Sequence, residues 1–123
     1  RVGADGAIVR SLDEAQARGA LSRLREQGLD SVAIVLLHGW RFADHERQVA
    51  GIARDLGFAQ ISVSHEVAPL IKLVPRGDTS VVDAYLSPVL RRYVAQVAAG
   101  LRDGTELHFM QSNGGLAKAG AFR

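Results

Sequence analysis

A polar turn containing two glycines, near the end of the chain, has the residue types best suited to binding an anion. The apolar run that ends at Met110 is followed at once by Gln111-Ser112-Asn113-Gly114-Gly115. Backbone N–H groups and short polar side chains at such a turn can bind phosphate or a polar substrate. The alternative is an ordinary turn, in which Ser and Asn cap and the glycines relieve strain. No Gly-Lys-Ser/Thr follows, so it is not a Walker loop.

Two further side chains lie where predicted strands or loops end. His38 follows an apolar run and could act as a general base or a hydrogen-bond donor in a cleft. A structural histidine at a strand end fits the same pattern. Arg76, in a loop before a helix, could pair with a carboxylate or phosphate through two N–H groups. In the alternative interpretation, Asp78 and Thr79 of the same segment only cap the helix.

The other histidines do not indicate a metal site. His45 and Glu46 are adjacent, so they do not share a helical face. His38 and His65 could approach each other only if their strands are neighbours, and no third ligand is visible. The absence of cysteine excludes disulfides and thiolate metal sites, and it suits a reducing cytoplasm. We therefore predict no metal ligands in this chain and a cytoplasmic location.

Composition excludes several classes of partner. The 123 residues are 47% hydrophobic and 23% charged, which is typical of a globular chain. The net charge is only +2, with no basic stripe interleaved with aromatic residues, so we expect no nucleic-acid partner. No apolar run approaches the roughly 18–20 residues that span a bilayer. The chain starts with Arg1 and not with Met, so we expect it to be an internal piece of a longer protein.

The elements that would position these residues alternate between strands and helices. Apolar runs predict strands at residues 31–37, 60–64 and 107–110. Helical periodicity, caps and glycine stops predict three helices: one to about Gln27 with a Ser11 capping box, one from Asp44 to Leu56, and one opened by Asp78 or Thr79 and kinked near Pro88. The order β-α-β-α-β predicts a single α/β domain over 1–123. Its architecture would be a three-layer sandwich with at least three parallel strands.

Several motifs together resemble the hydantoinase A/5-oxoprolinase family. They include His38 after two leucines, His45-Glu46, the Asp83-Ala84-Tyr85 helix segment and the strand end from Met110 to Gly115. The resemblance covers nearly the whole chain. Val74-Pro75-Arg76-Gly77 looks more like the 5-oxoprolinases than the N-methylhydantoinases or the related ketone carboxylases, which remain the alternatives.

The resemblance implies an actin-like, ribonuclease-H-like ATPase that uses ATP and Mg. It implies conversion of 5-oxo-L-proline, ATP and water to L-glutamate, ADP and phosphate. The partners implied are a small cyclic amide and the rest of the parent chain or a hydantoinase B-like subunit, in an oligomeric enzyme. Gln111 to Gly115, His38 and Arg76 are the candidates for substrate or phosphate binding, and the catalytic residues stay unassigned.

The family's Asp-Gly-Gly-Thr phosphate loop does not occur in this sequence. We therefore expect this chain alone neither to hydrolyse ATP nor to open a lactam. Two non-catalytic interpretations remain, a small ligand-binding α/β module and a scaffold between ATPase subdomains. A receiver domain would need acidic residues at its strand ends, where this chain has His38, Ser64 and Gln111.

Overall fold

The computed structural model describes residues 1–102, 104–110, 112 and 114–118. The elements are α1 (Glu14–Glu26), β1 (Ser31–Ile34), α2 (Asp44–Asp55), β2 (Gln60–Val63), α3 (Ser64–Val67), α4 (Leu73–Ala99), β3 (His108–Met110) and β4 (Leu116–Lys118). The chain divides into two compact units, Arg1–Ala84 and the part from Tyr85 onward. The single domain over 1–123 stays a prediction.

The first unit has the expected α/β arrangement. Strands β1 and β2 pair in parallel, from Ser31 opposite Gln60 to Ile34 opposite Val63, and α2 is the connection between them. A helical crossover is what brings consecutive strands into parallel alignment. Strand β1 ends at Ile34, earlier than predicted, because the next backbone amides leave the sheet and that of Leu36 binds a side chain.

The predicted third parallel strand is wrong for the described residues. Strand β3 pairs antiparallel with β4, from His108 opposite Lys118 to Met110 opposite Leu116, in a separate two-stranded sheet. The chain reverses between Met110 and Leu116, so these strands bind each other locally. Neither a sheet of three parallel strands nor a three-layer sandwich is found in the described part of the chain.

The apolar core of the first unit lies between the parallel sheet and the helices α1 and α2. Leu21, Ile52, Ala53 and Phe58 form one buried cluster, with Leu24, Val49 and Leu56 packed against it. A second buried cluster joins Ile34, Ala50 and Val63. These are the inward-facing positions that the helical and strand periodicities predict. Helices α1 and α2 end before Gly28 and Gly57, both at positive φ as the sequence suggests.

Two predicted helix starts are wrong. The cap of α1 is Asp13 and not Ser11, because Asp13 directly precedes the helix and its carboxylate accepts from Gln16 N at 2.9 Å. Helix α4 begins at Leu73, before the predicted start at Asp78 or Thr79. Pro75 is tolerated there because first-turn amides have no partner inside the helix. Arg76 is therefore a helical residue and not a loop residue.

Candidate functional site

A buried carboxylate holds the chain where it leaves β1. Glu46, in the first turn of α2, has no exposed surface. One carboxylate oxygen accepts from the backbone N–H of Leu36 at 2.8 Å and from the Ser64 hydroxyl at 2.6 Å. The other oxygen accepts from His65 twice, from its backbone N–H at 3.2 Å and from Nδ1 at 2.8 Å. Glu46 thus ties the end of β1 to the start of α3.

A buried arginine, which carries the opposite charge, binds the same segment. Arg76, also without exposed surface, donates from Nε to the Ser64 hydroxyl at 2.9 Å. Its terminal nitrogens donate to four carbonyl oxygens, those of Leu36, Leu37, Leu70 and Ile71. A guanidinium has five N–H groups, so these protein acceptors can account for all of them. Binding of an external carboxylate or phosphate by Arg76 stays a prediction.

The Ser64 hydroxyl connects the two charges, since it donates to Glu46 and accepts from Arg76. Burial by itself raises the pKa of Glu46, but the hydrogen bonds from Ser64, His65 and the two backbone amides outweigh it and lower the pKa below its usual value. Glu46 is therefore a carboxylate at neutral pH, and Arg76 offsets its charge. We call Glu46, Ser64, His65 and Arg76 the buried cluster.

The buried cluster fixes the backbone of residues 36–39, here called the β1 loop, which carries His38. The Nδ1 atom of His38 lies 2.8 Å from the carbonyl oxygen of Val2. Because a carbonyl only accepts, this hydrogen bond places the proton on Nδ1. Arg76 binds the carbonyl of the neighbouring Leu37. The fold thus brings the predicted residues His38 and Arg76 to the same loop, through the backbone.

A cavity of about 400 Å³, here called the His38 cavity, opens beside the β1 loop. Its walls are mostly apolar, and its polar side chains are those of His38, His45 and Arg1. The lining residues are Arg1, Val2, Leu12, Leu36, Leu37, His38, Gly39, Phe42 and His45. His45 is buried at the start of α2, next to Glu46. In the part of the chain that the structure describes, the ring of His45 has no hydrogen-bond partner.

A second polar cluster joins β2 to α4. The Ser62 hydroxyl donates to Asp83 Oδ2 of α4 at 2.5 Å, and Gln60 Nε2 donates to the Ser62 oxygen at 2.9 Å. These contacts attach α4 to the parallel sheet within the first unit. This cluster therefore positions α4 on the sheet.

The polar turn from Gln111 to Gly115 belongs to the second unit. Ser112, Gly114 and Gly115 are exposed in the connection between β3 and β4, and Gly114 has φ +82°. Gln111 and Asn113 lie outside the described residues. The binding role of this turn stays a prediction.

Glu46 and Ser64 are named in the sequence analysis as a motif residue and a strand-end residue, but neither was predicted to be a site residue. A signal was present, because Glu46 stands on the inward face of α2, one turn before Ala50 and two turns before Ala53, which are both buried. A charged residue on the apolar stripe of a helix must be paired when it is buried. Its partner could not be read from the sequence, since Ser64 and Arg76 lie far along the chain.

Two negative findings concern the described residues alone. Over residues 1–102, 104–110, 112 and 114–118, no three His, Cys, Asp or Glu side chains converge as metal ligands would. The helices in these ranges include none that is long and apolar enough to span a membrane.

Comparison with known proteins gives consistent matches over most of the chain. Residues 1–57 match the model of the hydantoinase/oxoprolinase N-terminal region, and residues 76–123 match that of hydantoinase/oxoprolinase. The 5-oxoprolinase of Saccharomyces cerevisiae is 46% identical over 94% of this chain, and 5-oxoprolinase 1 of Arabidopsis thaliana is 35% identical over 94%. In each case the chain spans only 9% of the relative's length.

A solved structure shows the same backbone. The crystal structure of ATP-dependent caprolactamase from Pseudomonas jessenii superposes on 100% of this chain with a TM-score of 0.87 and 36% identity. The chain corresponds to 18% of that caprolactamase chain. Both family models, the relatives and the backbone lead to one conclusion: this chain belongs to the hydantoinase/oxoprolinase family.

Proposed function

We propose that this chain is a segment of an ATP-dependent hydrolase that opens a small cyclic amide, with 5-oxo-L-proline as the substrate. The observation that carries the proposal is the match of the entire backbone to an ATP-dependent caprolactamase. The choice of substrate follows sequence identity, which is 46% to a yeast 5-oxoprolinase and 37% to the caprolactamase alpha subunit.

The chemistry explains why ATP would be required. A lactam is a poor electrophile, because its nitrogen donates electron density to the carbonyl group. Transfer of the γ-phosphoryl group to the amide oxygen releases ADP and turns that oxygen into a good leaving group. Water then adds to the same carbon, and the ring C–N bond breaks as the nitrogen takes up a proton, which leaves an acyl phosphate. A second water molecule hydrolyses this acyl phosphate to the carboxylate and phosphate. The products are L-glutamate, ADP and phosphate.

This segment would position and contact the substrate, and other parts of the enzyme would bind the nucleotide and carry out its chemistry. No three His, Cys, Asp or Glu side chains converge among the described residues, so they supply no complete set of protein ligands for Mg. We propose that Mg and the phosphates of ATP bind elsewhere in the enzyme. The parallel pair β1–β2 would then belong to a larger sheet within a three-layer, actin-like sandwich.

The proposal also concerns the partner subunit, the candidate binding residues and the cellular location. One relative is named caprolactamase subunit alpha, which supports a second, hydantoinase B-like subunit in an oligomeric enzyme. Gln111 to Gly115 remain candidates for contacts with substrate or phosphate, and Arg76 remains a candidate through the β1 loop it holds. A cytoplasmic location remains a prediction.

The test is ADP release by the full-length polypeptide that contains this segment. We expect 5-oxo-L-proline to stimulate release more than caprolactam or N-methylhydantoin. Stimulation by N-methylhydantoin alone would move the enzyme to the hydantoinase branch. If no cyclic amide stimulates the folded protein, with or without its second subunit, the proposal is wrong. Ser112→Ala should lower stimulated turnover and leave the unfolding temperature unchanged if the polar turn is a site.

A further inference from the structure

We propose that the His38 cavity binds the lactam ring of the substrate. This inference rests on the proposed function and adds to it the place in the fold where the cyclic amide lies. The volume of about 400 Å³ is in the lower part of the roughly 300–1,000 Å³ range of small-molecule sites. A small ring with one amide group fits such a space.

The backbone of Leu36 and Leu37, here called the floor of the cavity, is fixed by hydrogen bonds before any ligand binds. Leu36, which lines it, has its N–H bound by Glu46 and its carbonyl bound by Arg76. The carbonyl of Leu37 is bound by Arg76 as well. Both charged side chains are fully buried and come from different helices. A floor braced from two sides keeps its shape without an entropic cost at binding, which favours affinity.

The polar groups of the cavity match an amide. His38 donates from Nδ1 to Val2, so in the neutral ring Nε2 is an acceptor that can receive the lactam N–H. His45 lines the same cavity with no hydrogen-bond partner in the described ranges, so it can donate to the lactam oxygen. A cyclic amide presents its N–H and C=O on the same side, and two imidazoles that line one cavity suit that arrangement.

The apolar walls favour a lactam over a nucleotide. Leu12, Leu37 and Phe42 offer aliphatic and aromatic surface to the methylene groups of a ring. A triphosphate would need several cations or a nest of backbone N–H groups. Arg1 is the one lysine or arginine among the lining residues, which fits at most a single carboxylate such as that of 5-oxoproline.

Two pairs of variants in the full-length enzyme test the inference. Leu37→Trp fills the cavity from an exposed position, whereas Leu29→Trp places the same indole at a comparably exposed leucine outside the lining. His38→Asn keeps a donor for Val2 but removes the acceptor at Nε2, whereas His38→Gln places an amide near the Nε2 position and loses the Val2 bond.

The readouts are equilibrium dialysis of 5-oxo-L-proline and the separate KM values for lactam and ATP. We expect Leu37→Trp and His38→Asn to weaken lactam binding about tenfold or more, with the KM for ATP unchanged, which is the scale of one lost hydrogen bond or contact. His38→Gln should retain more affinity than His38→Asn, and Leu29→Trp should behave as wild type.

The outcomes separate this inference from the proposed function. If the wild type turns over a lactam but Leu37→Trp and His38→Asn leave its affinity unchanged, the cavity is not the site and the function stands. If the wild type binds 5-oxo-L-proline and Leu37→Trp abolishes binding, the cavity is the site even where no turnover is seen. A wild type that neither binds nor turns over any lactam overturns both. Circular dichroism checks that each variant is folded. If Leu37→Trp does not fold, the lactam affinity of His38→Asn decides whether the cavity is the site.

Discussion

The β1 loop and the connection between β3 and β4 are both places where a strand ends in polar residues, but they are positioned differently. The β1 loop is held by the side chains of Glu46 and Arg76, which reach it from α2 and α4. The β3–β4 connection joins strands of three residues each, flanked by the exposed side chains of Met110 and Leu116. The more visible motif therefore lies in a short hairpin whose described residues are mostly exposed, whereas the β1 loop lies against two buried charged side chains.

This difference teaches how a candidate site should be judged. A polar, glycine-rich turn is conspicuous in a sequence because its residues are consecutive. A braced loop is inconspicuous, because the groups that brace it come from distant parts of the chain. Pre-positioned groups are what binding requires, so the β1 loop is the stronger candidate for a substrate contact made by this segment.

The largest expected effect is the loss of the arginine that braces the β1 loop. Arg76→Met should lower the free energy of unfolding of this chain by about 3–5 kcal/mol, because it leaves the buried Glu46 charge without its counterpart and several carbonyls without donors. Arg76→Lys should recover only part of this, since an ammonium has three N–H groups. Urea unfolding measures both, with Arg54→Met at an exposed position as the control. Equal stability of Arg76→Lys and wild type would contradict the bracing role.

Removing the charge of Glu46 should have the next largest effect, and it should depend on pH. The pKa of Glu46 is lowered in the folded state, so its ionised form contributes stability above the unfolded value of 4.5, and this is lost as the pH falls through the lower folded pKa. Glu46→Gln should cost about 2–3 kcal/mol at neutral pH. The difference from wild type should shrink below pH 4.5.

Unfolding curves of Glu46→Gln and wild type at several pH values check this prediction. Glu26→Gln, on the exposed face of α1, is the matched control and should show no such dependence. A cost that stays constant from neutral to acidic pH would mean that shape and not charge explains the role of Glu46.

The smallest effects are expected for substitutions of three glycines, one in the β1 loop, one in the β3–β4 connection and one in α2. A Cβ at Gly39 would overlap the Glu46 carboxylate, so Gly39→Ala should cost about 1–3 kcal/mol through displacement of the buried cluster. Gly114 has open space but φ +82°, so Gly114→Ala should cost only about 1 kcal/mol of backbone strain. Gly51→Ala, in open space within α2, should stabilise by roughly 0.5–1 kcal/mol. Thermal unfolding ranks the three, and a larger cost at Gly114 than at Gly39 would reverse the comparison.

Much of the first unit could be predicted from the sequence, because the signals there are local. The branched run around Ile34 and the alternation from Gln60 to Val63 indicate strands, and the helix between them requires parallel pairing. The family resemblance was also correct, since it rests on motifs in their order along the chain. The predicted sites at the polar turn, His38 and Arg76 remain predictions.

The failures occurred where two local signals competed or where partners are distant. Asp13 is the N-cap of α1 in place of the predicted Ser11. Both are good capping residues, and the residue at which the helix begins determines which of them caps it. Strand β3 was expected in the parallel sheet, but an antiparallel neighbour was available a few residues further on. A strand of three residues carries too little pattern to select its partner.

The sequence by itself determined the family, the α/β character of the first unit and the residues on its apolar faces, because periodicity and motif order are properties of consecutive residues. Only the tertiary structure decided that Glu46 and Arg76 meet through Ser64, and that together they hold the loop carrying His38 beside a cavity. The physical reason is that burying opposite charges is favourable only when the hydrogen-bond partners of both converge. That convergence depends on how α2, α3 and α4 pack against the ends of the parallel strands, and no local pattern encodes it.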